Sequence, residues 1–267
     1  VTRPAWEGLS GWRDRWRRSG ELVLLLDFDG TLAPIVERPE AAALPPDTRR
    51  ALQQLRAAPG VRLALVSGRG LDDVRARAGL GDIAYAGNHG MEIQAPGVRR
   101  IHEGAAAARP ALEDVMRRLD PELAVIPGAI LEDKGLTLSV HHRMVGSGAE
   151  REEVERRVRD AAAGAPELRI TEGKRVLEIR PRVDWHKGKA VLFLLDHLAP
   201  VPGAPVLYMG DDATDEDAFR ALAERQGGGD GVRVADPLPT DTAARWSLRD
   251  PAEVGKFLHA LAAGDQV

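Results

Sequence analysis

Five aliphatic residues in a row, Leu22–Leu26, run directly into Asp27-Phe28-Asp29-Gly30-Thr31. A run this short and this uniformly apolar suits a strand buried on both faces. Such a strand needs helices above and below it, and the neighbouring sequence supplies them. Pro45-Pro46-Asp47 announces a helix with Leu52 and Leu55 on one side, stopped by Pro59-Gly60. Val61–Val66 and Val206–Met209 read as further strands. Val191, Leu194, Leu195 and Leu198 recur at helical spacing, and so do Val254, Phe257, Leu258 and Leu261. The alternation predicts an α/β fold with a parallel, Rossmann-like sheet.

The middle of the chain has a different rhythm. Leu112, Val115, Met116 and Leu119 mark a helix that Asp120-Pro121 is expected to end. Leu136–Val140 alternates with period two, as expected of a strand wet on one face. A second helix through Val154 and Val158 follows, then strands near Leu168–Ile170 and Val176–Ile179. This block reads as a small α+β unit inserted at residues 108–182, dividing the core into 1–107 and 183–267.

Composition narrows the chemistry. With no cysteine in 267 residues, disulfides, thiolate nucleophiles and Cys-ligated metals are excluded. A net charge of −4 lacks the basic footprint of a nucleic-acid binder, and the Arg-rich stretches at 12–18 and 151–159 read as solvated helix faces. No apolar run approaches a membrane span and no signal-peptide pattern opens the chain, so the expected location is cytoplasmic. Trp6, Trp12 and Trp16 suggest an N-terminal helix packed on the core.

Four segments concentrate chemistry. Asp27 and Asp29 follow a buried strand, and open parallel sheets bind ligands at the carboxyl ends of their strands. Asp and Gly are also common turn formers, so this segment alone reads equally well as a turn. Val66-Ser67-Gly68-Arg69 delivers a hydroxyl and backbone N–H groups from a second strand end, where a phosphate can be held. Asp211, Asp212, Asp215, Glu216 and Asp217 put five acids into seven residues after a third strand. First-turn helix acids explain part of that density. A hard cation with oxygen ligands explains the rest, and Mg²⁺ is the natural candidate. Lys187 opens a helix, electrostatically the wrong end for a cation, in a chain with only five lysines among 37 basic residues.

In this order and spacing, Asp27–Thr31, Ser67, Lys187 and Gly210–Asp217 resemble the motif set of the haloacid dehalogenase superfamily. The resemblance implies a hydrolase core in which Asp27 is the nucleophile and Asp29 the general acid and base. Ser67 and Lys187 would bind the phosphoryl group. Asp27, the Asp29 backbone carbonyl and Asp211 would ligate Mg²⁺, with Asp215 in support.

The inserted block then corresponds to the large α+β cap type that selects substrates. Its local strings, with Gly87–Glu92, resemble those of trehalose-6-phosphate phosphatases: Gly87-Asn88-His89-Gly90, Glu132-Asp133-Lys134, His141-His142-Arg143 and Glu178-Ile179-Arg180-Pro181. That likeness implies a sugar phosphate as partner, with Glu132, Lys134 and Glu178 recognising hydroxyls. Thr31, Gly68, His141, Arg143 and Arg180 complete the expected substrate set. Arg69 reaches the phosphate or pairs with an acid; Asn88 and His89 contact substrate or shape a turn. His141 and Arg143 are expected to face the cleft, and His142 to point outward by strand alternation. Another sugar phosphate, such as sucrose phosphate or a glucosyl- or mannosyl-glycerate phosphate, and a non-catalytic sensor domain remain as competing readings. By analogy the chain is expected to be monomeric, with association with a trehalose-phosphate synthase left open.

Overall fold

The computed structural model describes residues 2–263. The chain forms two compact units, Val1–Arg99 with Trp185–Val267, and Arg100–Asp184. The dividing positions differ slightly from 107/108 and 182/183. The short helix Glu103–Ala107 packs on the helix that follows it, and so falls within the inserted unit.

In the first unit Leu22–Leu26 lies near the middle of a nine-stranded sheet and is entirely buried. Its side chains explain the architecture. Leu22, Leu24 and Leu26 enter one hydrophobic cluster, with residues of the helices Pro46–Ala57, Leu71–Ala78 and Pro251–Ala263. Val23 and Leu25 enter a second cluster, with Val191, Leu194, Phe219 and Leu222 of the helices Lys187–Leu198 and Asp215–Glu224. Period-two alternation thus sends one strand's residues into two separate layers of helix.

The chain moves from Leu22–Leu26 to Val61–Val66 and Ala84–Gly87 on one side, all parallel. It later returns to Val206–Gly210, Asp230–Val234 and Trp246–Leu248 on the other side, again parallel. Glu92–Ala95 adds an antiparallel partner to Ala84–Gly87. Leu22–Leu26 and Val206–Gly210 therefore flank the switch point of the sheet, where a ligand crevice is expected. Trp12 is buried in the first cluster, edge-on to Trp246 and Phe257, and its indole N–H donates to Asp230 at 2.8 Å. The N-terminal helix Leu9–Ser19 is thus anchored by packing.

The second unit is a four-stranded antiparallel sheet in the order Ile130–Asp133, Leu138–His141, Val176–Pro181, Leu168–Gly173. Leu112, Val115 and Leu119 of one helix and Val154 and Val158 of another share a core with Leu138 and Val140. Helix Gly148–Ala162 starts at a capping box between Ser147 and Glu150. Helix Arg109–Leu123 passes through Asp120-Pro121, where the sequence suggested an end. Proline in the last turn forfeits one backbone bond, while Leu123 gains a buried place in the core.

Two expectations about the strand after Leu136 change. Thr137 and Ser139, read as solvent-facing, are buried. His142 does sit on the opposite face from His141, but that face carries the helices, so it is buried too. No helix among the described residues is long and apolar enough to cross a membrane.

Candidate active site

Four strand ends deliver the chemistry of the first unit: Leu26 to Asp27, Val66 to Ser67, Gly87 to Asn88, and Gly210 to Asp211. The Asp27, Asp211 and Asp215 carboxylates come within 4.8 Å of one another, and all three residues are buried. Lys187 Nζ, itself buried, donates to Asp27 Oδ1 at 2.8 Å and to Asp215 Oδ1 at 2.7 Å. The unusual lysine at a helix N-terminus is thus held by carboxylates that outweigh the unfavourable helix dipole.

Asp215 is the organiser of this group. Its Oδ1 also accepts from the Tyr208 hydroxyl at 2.6 Å, and its Oδ2 accepts the backbone N–H groups of Asp211 and Asp212, each at 2.9 Å. With four donors its lone pairs are filled, so Asp27 and Asp211 are the better placed to meet a cation. Asp211 lies against the backbone of Gly30, which has φ +83°. A side chain at position 30 would collide with that carboxylate as well as strain the backbone.

Burial pushes the Asp27 and Asp215 carboxyls above their usual range, and neighbouring acids push the same way, against the pull of Lys187. Burial alone would depress Lys187, but Asp215 and Asp27 outweigh it and hold it firmly protonated. The Lys187 ammonium acts on Asp27, Asp212 and Asp215, while Asp211 bears on Asp27 from within the same carboxylate cluster. An all-oxygen cluster with this excess of negative charge fits a hard divalent cation. Glu216 and Asp217 turn elsewhere: Glu216 to Arg233, Thr242 and the Ala243 amide, Asp217 to Arg220 and His186.

Ser67 is buried, and its Oγ accepts the Arg69 amide at 3.2 Å. The Ser67 and Arg69 amides are therefore engaged internally and not held out as an anion nest. The Ser67 carbonyl accepts from His89 and the Arg69 carbonyl from Asn88, so two strand ends are stitched together. Asn88 and His89 carry left-handed φ values of +48° and +56°, strained for non-glycine residues. The His89 ring packs over Gly68, where a side chain would clash with it. Asn88 Nδ2 donates to Glu92, whose other oxygen accepts the first amide of helix Leu71–Ala78. Thr31 is buried. Arg69 holds Asp29 through both carboxylate oxygens, at 2.6 and 2.7 Å.

In the second unit the register places Glu132, Ser139, Glu178 and Thr171 in one cross-strand row. Lys134 Nζ lies 3.5 Å from Glu178 Oε1, and Arg180 Nε 3.5 Å from Glu178 Oε2. His141 Nε2 pairs with Glu132 at 2.7 Å. Arg143 donates to the Lys174 carbonyl at 2.9 Å. The sequence reading missed Tyr208, and it counted Asp212 among the clustered acids without giving it a role. A tyrosine inside an otherwise aliphatic buried strand was the available signal, because a buried phenol needs a hydrogen-bond partner.

The fold is that of a haloacid dehalogenase-like hydrolase. A protein of that description from Bacteroides thetaiotaomicron matches with TM-score 0.59 at 16% identity, covering 89% of this chain and 98% of its own. The C-terminal domain of the Candida albicans trehalose-6-phosphate phosphatase matches with TM-score 0.81 at 25% identity, covering 98% of both chains. The family model described as trehalose-phosphatase matches residues 25–252. A trehalose 6-phosphate phosphatase of Zea mays is 42% identical over 91% of this chain and 70% of its own length. A trehalose-phosphate phosphatase of Mycobacterium tuberculosis is 43% identical over 90% of this chain but only 61% of its own. The chain belongs to the trehalose-phosphatase family, whose chemistry is phosphoric monoester hydrolysis.

Proposed function

We propose that this chain hydrolyses trehalose 6-phosphate to trehalose and phosphate through an aspartyl-phosphate on Asp27. The observation that carries the reading is the buried cluster in which Lys187 bridges Asp27 and Asp215, with Asp211 beside them. An Asp27 oxygen attacks phosphorus, and the bond from phosphorus to the sugar oxygen breaks. Asp29 gives its proton to that oxygen and trehalose leaves. Water then attacks the phosphorus, Asp29 takes its proton, and phosphate departs as the Asp27 carboxylate is restored.

Lys187 balances the charge of Asp27 and of the phosphoryl oxygens. Ser67 Oγ already accepts a bond from the Arg69 amide, which leaves its own proton to donate to a phosphoryl oxygen. Mg²⁺, held by Asp27, Asp211 and the Asp29 carbonyl, would neutralise developing charge on the phosphoryl group. In the inserted unit, Glu132, Lys134 and Glu178 present acceptors and a donor suited to vicinal hydroxyls, and select the sugar.

The test is phosphate release from trehalose 6-phosphate, sucrose 6-phosphate and glucose 6-phosphate, each with Mg²⁺ and with EDTA. Metal-dependent preference for trehalose 6-phosphate is expected. Equal or better turnover of another sugar phosphate would overturn the substrate assignment alone. Binding without turnover in Mg²⁺ would overturn the catalytic reading.

A further inference from the structure

Of the two roles open to Arg69 from the sequence, a phosphate contact or a pair with an acid, its guanidinium is committed to acids. Nε and Nη2 reach the two oxygens of Asp29 at 2.6 and 2.7 Å. Nη2 also donates to the Pro39 carbonyl at 3.0 Å, and Nη1 to Asp73 at 2.7 Å. The residue is only 6% exposed, and its guanidinium carbon lies 5.6 Å from the centre of the Phe28 ring. Asp73 is held in turn by Arg77 at 2.8 Å, and Arg77 donates to the carbonyls of Glu40 and Ala42. Asp29–Arg69–Asp73–Arg77 is therefore a continuous chain of charged groups, fastened at its far end to the loop that follows the Asp27–Thr31 motif.

We propose that Arg69 is the positioning residue for the general acid, an inference that rests on reading Asp29 in that role. The Asp29 side chain is 36% exposed and short, so its packing covers it only in part. A planar fork that grips both oxygens fixes both torsions at once. Each oxygen keeps a second lone pair, on which the transferred proton can travel. Asp73 and the Pro39 carbonyl hold the fork so that it cannot swing away with its partner. A lysine, with a single ammonium, cannot reproduce this geometry.

The experiment compares trehalose 6-phosphate with p-nitrophenyl phosphate in Arg69→Lys, Asp73→Asn and Asp29→Asn. p-Nitrophenolate leaves without a proton, so its pre-steady-state burst reports attack by Asp27 without help from an acid. Arg69→Lys should lower kcat on trehalose 6-phosphate about tenfold to hundredfold with KM within about threefold, the signature of a displaced acid. The burst rate should fall far less, and Asp73→Asn should move both readouts in the same directions by smaller factors. Should Arg69→Lys fail to fold, Asp73→Asn carries the same comparison. A raised KM with kcat retained would overturn the proposal by making Arg69 a phosphate ligand. An equal fall on both substrates would overturn it by making its role structural. If Asp29→Asn keeps normal turnover of trehalose 6-phosphate, the acid assignment itself fails. If Asp29→Asn is selectively slow and the Arg69 and Asp73 variants are not, the positioning role alone fails.

Discussion

Lys187 Nζ lies 2.8 Å from Asp27 Oδ1, joining residues 160 positions apart in a site where both are buried. The same ammonium meets Asp215 at 2.7 Å, so a single cation organises the two central carboxylates.

Lys187→Arg should therefore fail despite keeping the charge. A planar guanidinium does not fit a position that is 2% exposed and shaped for a compact ammonium. Turnover of trehalose 6-phosphate should fall by roughly a hundredfold or more, a loss of the order seen when electrostatic stabilisation of a transition state is removed. Lys187→Ala leaves two buried carboxylates without their partner and should lower stability in EDTA by about 3–5 kcal/mol. Denaturant titration checks the second effect and steady-state kinetics the first.

The Asp27, Asp211 and Asp215 cluster should bind metal in the absence of substrate. Mg²⁺ should raise the melting temperature of the unmodified chain, by an amount equivalent to about 2.7 kcal/mol at a hundredfold excess over Kd. Asp211→Asn should blunt that rise and abolish metal-dependent phosphate release. A full Mg²⁺ shift in this variant would remove Asp211 from the ligand set.

Tyr208→Phe tests the buried hydroxyl that touches Asp215 at 2.6 Å. Hydrogen bonds to charged groups contribute about 1.5–3 kcal/mol, so a loss of stability near the low end is expected, since Lys187 still serves the same oxygen. Because Asp215 also orders Lys187, kcat should drop with little change in KM. An unchanged kcat would show that Lys187 and the two backbone amides suffice to hold Asp215.

His142 predicts a pH effect on stability. Burial holds its pKa below the ordinary 6.5, with Arg175, Arg151 and His141 pushing the same way against Glu155. The unfolded chain then binds the proton more readily than the folded one. Stability from this group is complete above pH 6.5 and is lost as pH falls towards the depressed folded value. Melting temperatures recorded from about pH 7 down to pH 5 should fall less steeply in His142→Gln than in the unmodified chain.

The proposed sugar-binding role of Glu132 and Glu178 predicts a distinct phenotype. Glu132→Gln and Glu178→Gln should shift the ratio of kcat/KM for trehalose 6-phosphate over that for p-nitrophenyl phosphate by about tenfold or more, as loss of a directed polar contact does. A constant ratio would place both carboxylates outside substrate recognition.

Much of this protein was written in local patterns. Leu22–Leu26 announced a strand buried on both faces because an unbroken aliphatic run has no side to offer water, and a doubly covered parallel sheet follows from that. The lysine was legible because a cation at a helix N-terminus is unfavourable without a partner, and the acids because five of them in seven residues repel one another unless a cation offsets them. What the sequence could not supply was the choice of partner. Arg69 could serve a phosphate or an acid, and only the fold brings Asp29 and Asp73 to opposite sides of its guanidinium. Tyr208 looked like one more core residue until the turn at Gly210 folded Asp215 back over its hydroxyl. His142, expected outward by alternation, is buried, because whether a strand face meets water or helices depends on residues distant in sequence. Backbone periodicity is a local property of the chain. Pairing between groups as far apart as Asp27 and Lys187, 160 positions, or Trp12 and Asp230, 218 positions, depends on closing long loops around a common core, and only the assembled tertiary structure determines which groups meet.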